Sequence, residues 1–148
     1  MQLNKLLVTL AFSILFGSEV FAYDKHALER VLPLAEAGEG YYQNVMGLKY
    51  QDGEDVLKND KTSVKWFRLS AGTGFPYGQT NLAFAYYLGD GVLPDMKRAY
   101  MWFNLGIYNG AKDFNDLRHK VGKLLNASQL NEAQDMSSRC LESNYTDC

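Results

Sequence analysis

GFPYGQTNLAFAYYLGDGVLPDMKRAYMWFNLGIYN, residues 74–109, restates the 36 residues before it, GEGYYQNVMGLKYQDGEDVLKNDKTSVKWFRLSAGT, residues 38–73. Gly38, Tyr41, Gln43, Tyr50, Gly53, Val56, Leu57, Lys61, Trp66, Phe67 and Leu69 all recur unchanged 36 positions later. A self-similarity in this range of periods marks stacked supersecondary units. Units so small hide their apolar faces only against one another, so the pattern predicts a short solenoid.

Each copy parses as two helices. In the second, Tyr77–Leu88 is the first helix, and Gly89-Asp90-Gly91 stops it with residues tolerant of positive φ. Asp95, after Pro94, is an N-cap candidate for a second helix over Met96–Tyr108, which Asn109-Gly110 ends. The first copy carries the same punctuation: Gly53 as stop, Asn59 as cap, Gly72 and Gly74 as terminators. Small residues recur where helices should approach closely: Gly47/Ala83, Ser63/Ala99 and Ser70/Gly106. Large ones face them at Met46/Leu82, Tyr50/Tyr86, Trp66/Trp102 and Leu69/Leu105, the arrangement by which ridges enter grooves. Both indole rings are expected to face inward at matching depth, and positions identical in both copies are assigned to packing.

The second copy, through Leu82-Ala83, Tyr86, Gly89-Asp90-Gly91-Val92, Asp95, Ala99, Trp102 and Gly110, resembles the Sel-one-like repeat, a relative of the tetratricopeptide repeat. The first copy departs at Tyr42, at Asn59 for aspartate, and at Asp55, where a glycine is usual. The resemblance implies an all-α fold, a short right-handed α/α superhelical solenoid of helix-turn-helix units. Residues 24–37 form an N-terminal half-unit, Pro33 being a possible kink; 38–73 and 74–109 are the repeats. Residues 110–140 make a C-terminal cap, in which Asn126-Ala127-Ser128-Gln129 reads as a capping box, and 141–148 a tail. Gly53, Trp66, Gly74, Gly89, Gly91, Trp102 and Gly110 are the repeat-structural residues.

Residues 1–22 read differently. Lys5 precedes the apolar run Leu6–Phe16, and Val20-Phe21-Ala22 offers small residues for a signal peptidase. The run is too short to span a bilayer permanently, so the expectation is a signal peptide, a mature chain from Tyr23, no membrane span after cleavage, and a periplasmic or secreted location. The sequence has two cysteines, Cys140 and Cys148, and in an oxidising compartment they are expected to pair. A formal net charge of −2 gives no general attraction to nucleic acid.

The search for chemistry is negative. There is no Gly-x-Ser-x-Gly elbow, P-loop, dinucleotide fingerprint or His-Glu-x-x-His, and neither His26 nor His119 has a nucleophile or metal-ligand spacing around it. Asp52-Gly53-Glu54-Asp55 lacks the ligand pattern of a calcium loop and reads as an exposed turn. No catalytic residue, metal or cofactor is assigned. What remains is a binding surface on the first helices, which line the concave side in this repeat class. Residues there that differ between copies are the candidates: Tyr42, Asn44, Lys49, Thr80, Asn81 and Tyr87. Aromatic and amide side chains suit an unidentified protein, peptide or glycan partner. The expected role is therefore a non-enzymatic exported interaction module of the cell envelope. An envelope hydrolase or cell-wall-acting protein and a secreted effector or immunity-type protein are the alternatives.

Overall fold

The computed structural model describes residues 28–148, so the expected signal peptide, the start at Tyr23 and His26 lie outside the described residues. Residues 28–36 are helical and are called α1. There follow α2 (Gly40–Asp52), α3 (Asp60–Gly72), α4 (Pro76–Leu88), α5 (Met96–Tyr108), a 3-10 turn at Lys112–Phe114, α6 (Asn115–Gly122) and α7 (Ala127–Glu142). No strand occurs among the described residues. Each helix packs on its chain neighbour, α2 on α3, α3 on α4 and α4 on α5, and α7 folds back over α5. The result is the expected all-α solenoid.

The helices begin and end where their side chains dictate. Asn59 Oδ1 accepts from Thr62 N at 3.0 Å, and 36 residues on Asp95 Oδ1 accepts from Arg98 N at 3.0 Å, each satisfying a free donor of a first turn. Gly53 and Gly89 close α2 and α4 at φ 75° and 81°. The capping box forms as read: Gln129 N donates to Asn126 Oδ1 at 2.9 Å, and Asn126 N donates to Gln129 Oε1 at 3.0 Å.

Close approach explains the small residues. A Cβ on Gly47 would run into the Phe67 ring, and one on Gly106 would stand 2.6 Å from Thr80 Cγ2 and 3.0 Å from the Pro76 carbonyl. Between repeats, the α4–α5 loop lies on the start of α3, where a Cβ on Gly91 would overlap the Asp60 carbonyl and stand 2.8 Å from Lys61 N. The core runs through Val64, Phe67, Leu82, Ala83, Tyr86, Ala99, Met101, Trp102, Phe103 and Leu105 and on into Val121, Ala133 and Cys140.

The copies are not equally deep, which corrects the expectation of matched indoles. Trp102 is 6% exposed, whereas Trp66 is only half-buried; Leu105 is fully enclosed and its counterpart Leu69 is 53% exposed. The cause is the partner: α5 is backed by α7, whereas α3 has α2 and α4 as its main helical neighbours among the described residues. Identity between copies is no guarantee of packing either. Tyr41 and Tyr77 are half exposed, and Leu57 and Leu93, in equivalent loops, are 91% and 85% exposed.

Asp55 replaces the usual glycine yet keeps a left-handed backbone, φ 62° against 70° at Gly91. Its carboxylate turns inward to Lys49 Nζ at 2.5 Å, both side chains being 9% exposed. In the second copy the same two positions hold Ala85 and Gly91. Thus the acidic turn is exposed as expected, yet contains one ion pair whose side chains are buried.

The cysteines are bonded, Cys140 to Cys148, with Cα atoms 4.9 Å apart. The closed loop holds Asn144 and Tyr145 at positive φ, 51° and 65°. Tyr145 Oη donates to Asn109 Oδ1 at 3.0 Å, so the tail is tied onto the end of α5.

Candidate functional site

A helix turns 100° per residue, so positions i, i+4, i+7 and i+11 share one face. On α2 these positions are Tyr41, Val45, Leu48 and Asp52; on α4, 36 residues later, they are Tyr77, Asn81, Phe84 and Leu88. Every one is exposed or half-buried, with Tyr41 57% and Leu88 58% exposed. The two stripes adjoin. Asn81 Nδ2 donates to Asn44 Oδ1 at 2.8 Å, and the Phe75 ring lies between Tyr41 and Tyr77, with centroids 6.0 and 5.9 Å away. The outcome is a mostly apolar surface across two first helices, rimmed by Asn81 and Asp52, in which Tyr41, Leu48, Tyr77 and Leu88 are open to solvent and Phe84 packs inward on Phe103 and Phe114.

The six residues singled out by sequence fall mainly beside this surface. Thr80 is wholly buried, with its hydroxyl donating to the Tyr77 carbonyl at 3.2 Å and its methyl against Gly106. Lys49 and Asn44 are each 7% exposed, committed to Asp55 and to Asn81. These three are buried and hydrogen-bonded within the fold, unlike the exposed surface positions expected of them. Tyr42 is half-buried, edge-on to Tyr41 at 5.1 Å, and Tyr87 is half-buried against the core. Asn81 alone lies on the exposed stripe. The reason is angular: residues 42, 44, 49, 80 and 87 sit roughly 60–100° around the helix from it. Choosing positions that differ between copies discarded Tyr41 and Tyr77; the i, i+4, i+7, i+11 series starting there was the available signal.

Beside the stripe the polar groups are mostly spoken for. Tyr86 is 2% exposed, with the Arg68 and Arg98 guanidinium carbons 5.4 and 5.6 Å from its ring centre, and Arg98 donates to its hydroxyl at 3.2 Å. Buried glutamines mark each repeat. Gln79 Nε2 donates to the Ala71 carbonyl and Gln43 Nε2 to the Ala35 carbonyl, both at 3.2 Å. Gln79 Oε1 also accepts from Asn109 Nδ2 at 2.8 Å, whereas Gln43 Oε1 has no partner among the described residues. His119 is exposed, 3.4 Å from an Arg118 nitrogen. Among the described residues no three His, Cys, Asp or Glu side chains gather as a metal site, and no helix is long and apolar enough to cross a membrane.

The comparisons agree with the fold that builds this surface. No curated protein matches the chain. A protective antigen of uropathogenic Escherichia coli strains, described as displaying an SLR fold, superposes with TM-score 0.70 and 27% identity over 82% of this chain. A Sel1 repeat protein from Oxalobacter formigenes does so with TM-score 0.57 and 26% identity over 74%. The chain spans 28% and 45% of the lengths of those two proteins. The Sel1 repeat pattern matches residues 40–72 and 76–110, the two copies whose helices carry the exposed stripes, so the chain carries two Sel1 repeats.

Proposed function

We propose that this protein is an exported, non-enzymatic interaction module whose Tyr41–Leu48 and Tyr77–Leu88 stripes hold a segment of another protein in the cell envelope. Sel1 repeats are typically protein-interaction modules, which gives the general class. The observation that carries the specific reading is the unpaired apolar face itself. Tyr41, Leu48, Tyr77 and Leu88 stay in water although the same helices bury smaller and more polar residues on their other sides. Aromatic and aliphatic anchors with a polar rim are what partner recognition uses. Export is supported by the charged-apolar-small order of residues 1–22 and by the bonded cysteines.

A photo-crosslinking amino acid placed at position 77 tests this in intact cells. It should trap one recurrent envelope protein, and the band should vanish with Leu48→Glu while the far-ultraviolet circular dichroism stays native. Crosslinks no different from those of an exposed position on α7, such as Glu132, would refute it.

A further inference from the structure

Tyr145, Asn109 and Thr73 are one repeat position, spaced by 36, each directly after or near the end of a second helix. Tyr145 reaches back from there. Its ring lies over Gly74, where a Cβ would stand 2.9 Å from Cε2, and its hydroxyl meets Asn109. Asn109 in turn donates to the buried Gln79. The turn glycine, the cap residue and the glutamine thus form a seat for a phenol.

One repeat earlier the turn glycine and the glutamine recur, and among the described residues no ring lies on them. Gly38, at φ 96°, has no described residue within 4 Å of a Cβ position, and the residue that would reach it, by repeat, is the short Asn109. Thr73 replaces the amide and spends its hydroxyl on the Ser70 carbonyl at 2.7 Å. Gln43 Nε2 bonds the equivalent backbone carbonyl, as Gln79 Nε2 does, so by the repeat its Oε1 corresponds to the oxygen that meets Asn109, whose counterpart is Thr73. That oxygen is buried, in a side chain 5% exposed, and lacks a donor among the described residues. An unfilled buried acceptor is costly, and hydrogen bonding it is the strongest local incentive to bind a donor.

We propose that Gly38, Thr73 and Gln43 form a second phenol seat, filled by a tyrosine side chain of a partner polypeptide. The ring would lie on the Gly38 turn, and its hydroxyl would donate to Gln43 Oε1, Thr73 yielding from its exposed position. The chain's own tail supplies the template for that occupant. This inference rests on the interaction reading above and specifies one anchor of the partner.

The probe is the disulfide-closed nonapeptide of residues 140–148, titrated into the nitrogen-15-labelled protein with its native disulfide intact. Saturable shifts are expected at Gly38, Thr73 and the Gln43 side-chain amide. Replacing the peptide's tyrosine by phenylalanine should weaken binding about fivefold, the effect of one neutral hydrogen bond. On Gln43→Met the two peptides should bind equally. Should that variant not fold, Thr73→Trp, at an exposed position, should block the seat and abolish the shifts. Shifts absent at these residues, or equal affinity of both peptides for the unaltered protein, would overturn the proposal. So would binding that appears only after deletion of residues 23–27, since the chain's own Tyr23 would then be the occupant. Loss of the seat with crosslinking at position 77 intact would leave the interaction reading standing.

Discussion

Gly91→Ala should strip the two repeats of much of their mutual support. At φ 70° an alanine pays the left-handed penalty, about 1–2 kcal/mol. Its Cβ would also overlap the Asp60 carbonyl and sit 2.8 Å from Lys61 N, both backbone atoms. These cannot swing aside as a side chain could, because Asn59 caps that same turn through Thr62 N. Moving the loop away from α3 adds an overpacking cost of about 1–3 kcal/mol, for a total near 2–5 kcal/mol. A domain of this size is stable by roughly 6–18 kcal/mol, so the midpoint of thermal unfolding should fall by roughly 10–20 °C. Gly53→Ala is the control: φ is 75°, but the nearest atoms to a Cβ, Lys58 Cβ and N, stand 3.2 and 3.4 Å away, so a shift of a few tenths of an ångström relieves them. It should lose only about 1–2 kcal/mol. Urea unfolding followed by circular dichroism measures both. Equal losses in the two variants would show that the α4–α5 loop does not bear on α3, and the argument would fail.

Three other expectations follow from particular contacts. Asp55→Ala leaves Lys49 buried with only the Glu54 carboxylate 4.0 Å away, and should cost about 2–3 kcal/mol; Lys49→Ala with Asp55→Gly, which copies the second repeat, should cost less than either single change, as a double-mutant cycle in urea will register. Trp102→Ala should cost about 3–5 kcal/mol and Trp66→Ala less than half of that, so calorimetry giving equal values would contradict their different burial. Reduction of Cys140–Cys148 should lower stability by at most about 2–3 kcal/mol and free Tyr145 from Asn109, seen as faster amide exchange confined to residues 140–148 and the end of α5.

Much of the architecture could be read without coordinates because it depends on local chemistry. Asn59, Asp95 and Asn126 cap the helices they were expected to cap, and α5 runs over Met96–Tyr108 as its sequence indicates. Each of these rests on bonds within four residues of the cap, so the chain carries the information itself. The small positions were legible too, although the ring that Gly47 receives across its helical hairpin is Phe67, not one of the large residues expected to face them. The binding surface was harder. Sequence difference between copies was used as a proxy for exposure, and it pointed to Lys49 and Thr80, which are buried. Tyr41 and Tyr77, identical in both copies, were set aside as packing although they remain in water.

The duplicated 36 residues determined the helices, their order, their stacking and the two Sel1 repeats that the chain carries, since caps, turn glycines and apolar periodicity act over one or two helical turns. Only the tertiary structure decided how deep each repeat position lies. Trp66 and Trp102 carry the same side chain, but α7 backs one helix and leaves the other partly open. It likewise decided that Tyr145 lies over Gly74, while at the equivalent Gly38 no described residue comes within 4 Å of a Cβ position. Burial depends on what stands opposite, and in a short array the units at the two ends have different neighbours; no residue can encode that for itself.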